Sequence, residues 1–200
     1  MKFLVEQLNV KAVCCGYDYS FGYQAEGRVD TLRLLCNRYG VTVLVTDKIC
    51  INGEEVSSTA IRQCIVNGNI EKANKMLGRC FCVEGPVVKG LQNGRKLGFP
   101  TANVCYNYEM VIPKDGVYAG FTYVNGIGFK SVINVGKNPT FGADKITIES
   151  HILDYNNDLY GENIRVSFSK RLRGEIKFDS IGELKKQINK DAQTVRAMNL

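Results

Sequence analysis

The sequence predicts a chain in two parts: an α/β unit with parallel strands, then an antiparallel β-barrel or sandwich that ends in a helix. Three observations predict it. Early apolar runs flank a stretch of helical period, in the order strand, helix, strand. After Gly78 the pattern turns to short strand-like segments separated by glycine turns. The C-terminal stretch then returns to a helical period.

Val10-Lys-Ala-Val-Cys-Cys15 is an apolar run ended by Gly16 and reads as a buried strand. Leu32, Leu35, Cys36 and Tyr39 recur at helical spacing until Gly40 stops the helix. Residues 41–45 form a second strand, and the helix between the two makes them a parallel crossover pair. Asn52-Gly53 marks a hairpin. Two short helices follow over residues 58–67 and 69–77, with Gly68 and Gly78 in C-cap positions. Strands are expected over residues 81–88, 116–124, 128–135, 145–153 and 164–169, with Asn125-Gly126 as a two-residue turn between two of them. Ser180-Ile-Gly-Glu183 reads as a capping box opening the last helix, with Ile181, Leu184 and Ile188 on its apolar face. The boundary falls at residue 78, giving domains 1–78 and 79–200.

Two hundred residues suit one large or two small domains, and 44% apolar with 23% charged residues excludes a disordered or fibrous chain. Lysine and arginine exceed aspartate and glutamate by 26 − 20 = +6, a surplus that suits a polyanionic ligand without demanding nucleic acid. The eight cysteines form no C-x-x-C pair, and His151 is the single histidine, so zinc-finger spacings are absent. Most of the cysteines sit among Val, Ile and Leu and read as small reduced hydrophobes. No apolar run approaches a membrane span, and Glu6 falls where a signal peptide would need its apolar stretch. The expectation is a soluble cytoplasmic protein.

The most informative stretch is Lys89-Gly-Leu-Gln-Asn-Gly-Arg-Lys-Leu-Gly-Phe-Pro-Thr-Ala-Asn103. Gly90, Gly94 and Gly98 let backbone approach a ligand closely, and Lys89, Arg95 and Lys96 add positive charge, a combination that suits phosphate. It is not a P-loop, because the Gly90–Gly94 spacing is one residue short and no Lys-Ser/Thr pair follows. Thr101 and Asn103 share one side of an extended segment, where a hydroxyl and an amide oxygen are hard neutral ligands suited to Mg²⁺. The competing reading is a glycine-rich hairpin loop with Thr and Asn bonded to their own backbone. Strand alternation further on puts Ile146, Ile148 and Ile152 on one face and Thr147, Glu149 and His151 on the other. Glu149 is thus either a general base for a substrate alcohol or a solvated surface carboxylate.

G-R-x-L-G-F-P-T-A-N resembles the signature of riboflavin kinases. Further pieces follow in the family's order: Gly116-Val-Tyr118, Asn134-Val-Gly-Lys-Asn-Pro-Thr-Phe141, Ile148-Glu-Ser-His-Ile-Leu-Asp154, Leu159-Tyr-Gly161 and Leu172-Arg-Gly-Glu-Ile-Lys-Phe178. The resemblance implies an antiparallel β-barrel with a C-terminal helix that phosphorylates riboflavin to FMN with ATP. It implies that Thr101 and Asn103 hold the nucleotide's Mg²⁺, that Glu149 is the base, and that the glycine loop covers the phosphates. Arg173 and Phe178 would flank the isoalloxazine ring, and His151 would be structural.

Near the start, Val13-Cys-Cys-Gly-Tyr-Asp-Tyr-Ser-Phe-Gly22 is similar to the G-x-D-F-x-F-G motif of bacterial FMN adenylyltransferases, with Tyr19 in place of Phe, and Val56-Ser-Ser-Thr-Ala-Ile-Arg62 to their S-S-T-x-I-R motif. Asp18, Ser57, Ser58, Thr59 and Arg62 are the residues this second resemblance singles out. The hydroxyls at a helix N-terminus with Arg62 a turn later suit phosphate, or form a simple N-cap. The resemblance implies a Rossmann-like nucleotidyltransferase unit fused to the kinase, as in bifunctional FAD-synthesis enzymes. The family's G-x-F-D-G-x-H-x-G-H-type motif is not in the sequence. The expectation is therefore a partial first domain without adenylyltransferase activity, whose uncovered strands promote self-association. Two other readings remain: a flavin-binding barrel without catalysis, and an RNA-binding barrel using Lys170, Arg171 and Arg173 with the RNP1-like Gly126-Ile-Gly-Phe-Lys130. Retention of Thr101, Asn103 and Glu149 together favours the kinase.

Overall fold

The computed structural model describes residues 2–137 and 146–200. It divides into two compact units, Met1–Val56 and Ser57–Leu200. The first contains β1 (Ala12–Gly16), a short ladder of β2 (Ser20–Phe21) with β3 (Gly27–Arg28), α1 (Val29–Asn37), β4 (Thr42–Thr46) and a hairpin of β5 (Cys50–Ile51) with β6 (Glu54–Glu55). β1 and β4 are parallel, from Ala12 opposite Thr42 to Gly16 opposite Thr46, as the crossover pattern requires. α1 covers one face, where Leu32, Cys36 and Val41 are buried with Val13, Cys15 and Val43 packed against them. The β5–β6 turn takes positive φ at both Asn52 and Gly53, the backbone that Asn-Gly tolerates most readily.

The second unit opens with α2 (Ser58–Val66) and α3 (Ile70–Leu77), which end at Gly68 and Gly78 in left-handed conformation. Ile70, Ala73 and Met76 of α3 are buried. Its Asn74 side chain donates to the Phe168 carbonyl at 2.8 Å and accepts from the Phe81 amide at 2.7 Å. These bonds fasten α3 to strands much later in the chain. Compact structure therefore divides at residue 56, whereas the sequence pattern changes at residue 78.

A closed barrel follows, built from β7 (Phe81–Val88), a five-residue helix α4 (Asn93–Leu97), β8 (Ala102–Val104), β9 (Gly116–Val124), β10 (Ile127–Lys137), β11 (Ile146–Ile152) and β12 (Asn163–Arg173). The strand order is β10-β11-β8-β7-β12-β9, with antiparallel pairing throughout. Closure leaves no free edge among these strands. Val83, Tyr118, Ile133, Val135, Ile148, Val166 and Phe168 are fully or almost fully buried. A buried hydroxyl pair, Thr122 and Ser150, satisfies itself at 2.7 Å. At Gly120 an added Cβ would lie 1.9 Å from the Ser167 carbonyl oxygen, so only glycine permits the β9–β12 approach there. Asn125 and Gly126 make the β9–β10 turn with positive φ. Residues 138–141 of the Asn134-Val-Gly-Lys-Asn-Pro-Thr-Phe141 motif, and residue 145 of the expected strand, lie outside the described residues.

The last element, α5 (Ile181–Ala197), begins as the capping box predicts, with the Glu183 amide donating to Ser180 Oγ at 3.2 Å. Its buried face differs from expectation. Ile181 is 67% exposed, while Leu184 and Ile188 lead into the buried Asp191, Ala192 and Val195. Ile181 lies in the first turn, which overhangs the barrel end; Ala192 and Val195 pack on Val117, Ala119, Val132 and Leu153. The cysteines also divide differently from expectation: all are free, Cys36 and Cys64 are buried, and Cys14, Cys50, Cys80 and Cys105 are exposed. No helix among the described residues is long and apolar enough to cross a membrane.

With only three fully buried apolar residues in its core cluster, the first unit opens at lower free energy than the barrel. Amides of β1 and β4 are expected to exchange with solvent well before those of β10 and β12, as hydrogen-exchange mass spectrometry would measure. Equal protection would refute this.

Candidate active site

Barrel register brings the chemistry-bearing residues to one level. Asn103 on β8 lies opposite Glu149 on β11, Glu149 opposite Asn134 on β10, Asn134 opposite Val117 on β9, and Val117 opposite Arg173 on β12. Directly opposed residues project to the same side of a sheet, so these five form a lateral row. Thr101, just before β8, donates its hydroxyl to Glu149 Oε2 at 3.3 Å.

Two cavities meet along this row. One, of about 570 Å³, is walled by apolar groups including Leu97, Phe99, Val132, Phe178, Leu184 and Ile188, with Glu149, Asn134, Arg173 and Glu175 among its polar members. The other, of about 270 Å³, is more polar and is lined by Gln92, Arg95, Asn103, Asp158 and Tyr160 among others. Thr101 lines both.

Burial pushes the Glu149 carboxyl above the usual carboxylate range, and the Thr101 hydrogen bond draws it part of the way back. A half-buried carboxylate without a cation beside it is a stronger base than a solvated one. The loop before it depends on close approach. An added Cβ at Gly90 would fall 2.6 Å from Asn103 Nδ2, and one at Gly94 would fall 2.4 Å from the Phe99 carbonyl oxygen. Gly98 closes α4 at φ +92°. Gln92 Nε2 donates to the Tyr160 hydroxyl at 2.9 Å, and Lys89 Nζ stands 5.9 Å from the centre of the Tyr160 ring. Of the expected phosphate residues, Arg95 lines the polar cavity, Gly94 lines the apolar one, and Lys96 is exposed and lines neither.

Arg173 lines the apolar cavity, with three of its five N–H groups engaged. Nε and Nη2 donate to Asp191 Oδ2 at 3.0 and 2.8 Å, and Nη1 donates to the Gly174 carbonyl at 3.0 Å. Gln187 donates to the other Asp191 oxygen at 2.8 Å. This arrangement leaves the guanidinium able to offer a ring its face rather than its N–H groups. Arg171 likewise turns inward, donating to the Asp115 carbonyl at 2.7 Å, so two members of the Lys170–Arg171–Arg173 cluster are not offered to a polyanion. His151 Nδ1 donates to the Pro100 carbonyl at 2.9 Å, and its ring meets Phe99 edge-on at 5.6 Å, which braces the turn carrying Thr101. Asp18 belongs to the first unit, whereas Ser57, Ser58, Thr59 and Arg62 belong to the second. Ser57 Oγ accepts from the Ala60 amide at 3.2 Å as an N-cap.

Asp191 and Asn134 were not singled out from sequence. Asp191 had a signal: an acid on the stripe Leu184, Ile188, Val195, where a buried carboxylate requires a partner. Asn134 opens one of the family's motifs, but that it stands opposite Glu149 follows from register alone.

The closed six-stranded barrel thus carries a mostly apolar and a more polar cavity that meet beside the half-buried Glu149. Residues 77–199 match the riboflavin kinase family model, and the chain belongs to that family. Residues 1–60 match the FAD synthetase model. The bifunctional riboflavin kinase/FMN adenylyltransferase of Listeria monocytogenes is 38% identical over 95% of this chain and 60% of its own length. That of Escherichia coli is 40% identical over 96% of this chain and 62% of its own. The crystal structure of a macrolide-efflux protein from Streptococcus pneumoniae matches with a TM-score of 0.88 and 32% identity, over 98% of this chain and 64% of that one. The chain thus spans a little over three-fifths of the length of these relatives.

The Thr101 bond sets an expectation for Glu149 that is independent of any reaction. Carboxyl NMR should place its titration above that of an exposed glutamate, and Thr101→Val should move it higher still. A titration unchanged by Thr101→Val would mean that the hydrogen bond is not populated in solution.

Proposed function

We propose that the barrel unit transfers the γ-phosphoryl group of ATP to the terminal ribityl hydroxyl of riboflavin, giving FMN and ADP. The observation that carries the reading is the junction of the two cavities at Thr101, with Glu149 hydrogen-bonded to it. The larger, mostly apolar cavity suits the isoalloxazine ring, with Phe178 and the face of Arg173 beside it. The polar cavity suits the nucleotide, with Arg95 and the Lys89–Gly90 backbone toward its phosphates. A ribityl chain running from the first cavity toward the second brings its end to Glu149. Glu149 takes the hydroxyl proton as the oxygen attacks the γ-phosphorus and the bond to the bridging β–γ oxygen breaks. Its burial makes it basic enough to accept that proton and keeps water from competing for the phosphoryl group.

The donor set also fits Mg²⁺. Thr101 gives its proton to Glu149, which leaves the hydroxyl lone pairs free, and Asn103 on the same side adds an amide oxygen. Hard neutral oxygens of this kind, completed by phosphate and water, suit Mg²⁺. When bound, the ion would offset charge on the phosphate oxygens.

Purified protein given riboflavin, ATP and Mg²⁺ should yield FMN, scored chromatographically apart from FAD. Flavin binding without FMN would instead favour the non-catalytic barrel, and FAD formation would add adenylyl transfer to the reading. Glu149→Gln keeps the shape and removes the base, so turnover should fall about 10²–10⁴-fold while riboflavin and ATP still bind. Asn103→Ala should lower turnover by at least about tenfold at saturating ATP and Mg²⁺. Unchanged turnover in both variants would sink the assignment.

A further inference from the structure

The row across the barrel contains one polar side chain that the proposed reaction leaves unused. Asn134 stands between Glu149 on one side and Val117 on the other. Its carboxamide lines the larger cavity, half-buried, next to Gly136, and has no hydrogen-bond partner among the described residues. Its neighbours along the row are already committed or apolar. Glu149 accepts from Thr101, Val117 offers nothing, and three of the five Arg173 N–H groups are held by Asp191 and Gly174. A half-buried amide without a partner is unfavourable in an empty cavity and becomes favourable when a ligand supplies both a donor and an acceptor.

We infer that Asn134 is a positioning residue for a polyol, holding the ribityl hydroxyl one or two carbons before the one that is phosphorylated. The inference rests on the riboflavin kinase reading. Side chains of directly opposed residues start about 4.5–5.5 Å apart. That is the span between a chain's terminal hydroxyl and those just behind it. A hydroxyl both donates and accepts, as the carboxamide does, so one contact can satisfy both groups. Held there, the chain cannot slide along the apolar wall, and its end stays within reach of Glu149. The flat ring system gains nothing from Asn134; only the side-chain hydroxyls do.

The test compares riboflavin with an ω-hydroxypentyl flavin, which keeps the ring system and the terminal hydroxyl and lacks the others. Wild-type protein should favour riboflavin in kcat/KM and, with ATP omitted, in binding measured by flavin fluorescence. Asn134→Val should lower that preference by about three- to tenfold, mainly through the KM for riboflavin, which is the usual size of one neutral hydrogen bond. Asn134→Thr has the same shape as the valine variant and keeps a hydroxyl, so it should retain part of the preference. Both substitutions suit a strand and face a cavity, so folding is preserved. A preference equal in the wild type, Asn134→Val and Asn134→Thr overturns the inference, as does a wild type that does not discriminate. A structural role would depress both flavins equally. Failure of the kinase reading is separate: wild-type protein would then make no FMN, while the binding preference would still report on Asn134.

Discussion

Closure of the barrel depends on β8, a strand of three residues paired with β7 on one side and β11 on the other. Val104 and Asn103 pair with Val87 and Val88, and Asn103 and Ala102 pair with Glu149 and Ser150. The same register that closes the ladder therefore sets Asn103 beside Glu149 and brings the preceding Thr101 within hydrogen-bond reach of it. Site geometry is not added to a finished scaffold. A slip of one residue in β8 would turn Asn103 to the opposite face and expose Ala102 and Val104, which are buried. The cost of exposing that apolar surface is what holds Thr101 and Asn103 in place.

Two carboxylates near the site are buried for opposite reasons. Asp191, only 6% exposed, is compensated by Arg173 and Gln187 and ties α5 to the end of β12. Removing one partner of such a pair leaves an uncompensated buried charge, which is far more damaging than the pair is stabilising. Glu149 has a neutral hydroxyl as its partner among the described residues, so burial raises its affinity for a proton. Arg173 stands three positions along the row from Glu149, and its engagement by Asp191 keeps its charge occupied.

What could be read from the sequence was what depends on local geometry. The ends of β7 and β9 coincide with the expected strands, and both Asn-Gly turns adopt the positive φ that the pair is chosen for. For Thr101, Asn103 and Glu149 the residues alone left two readings each, and the resemblance to the kinase family chose between them. α4 was not legible, because Gly94 and two adjacent cations give a five-residue helix no apolar stripe. It is bracketed by left-handed Gln92 and Gly98, and its turn is fixed by what packs on either side. The early division of the chain was hidden as well. α2 and α3 look like the end of the α/β unit, yet the bonds from Asn74 to Phe81 and Phe168, and from the Lys114 amide to the Ile65 carbonyl, join them to the barrel.

α4 also explains how two chemically unlike cavities share one wall. Gln92 and Arg95 line the polar cavity, and Gly94 and Leu97 line the apolar one. Residues three apart lie on the same side of a helical turn, and the two pairs fall on opposite sides. One short turn therefore presents charge and amide to the polar cavity, and a glycine and a leucine to the apolar one. Gly94 is required where the turn presses on the Phe99 carbonyl, and the Gln92–Tyr160 bond fixes the opposite side. Thr101, which lines both cavities, is where the two chemistries come together, and its hydroxyl is the one bonded to Glu149.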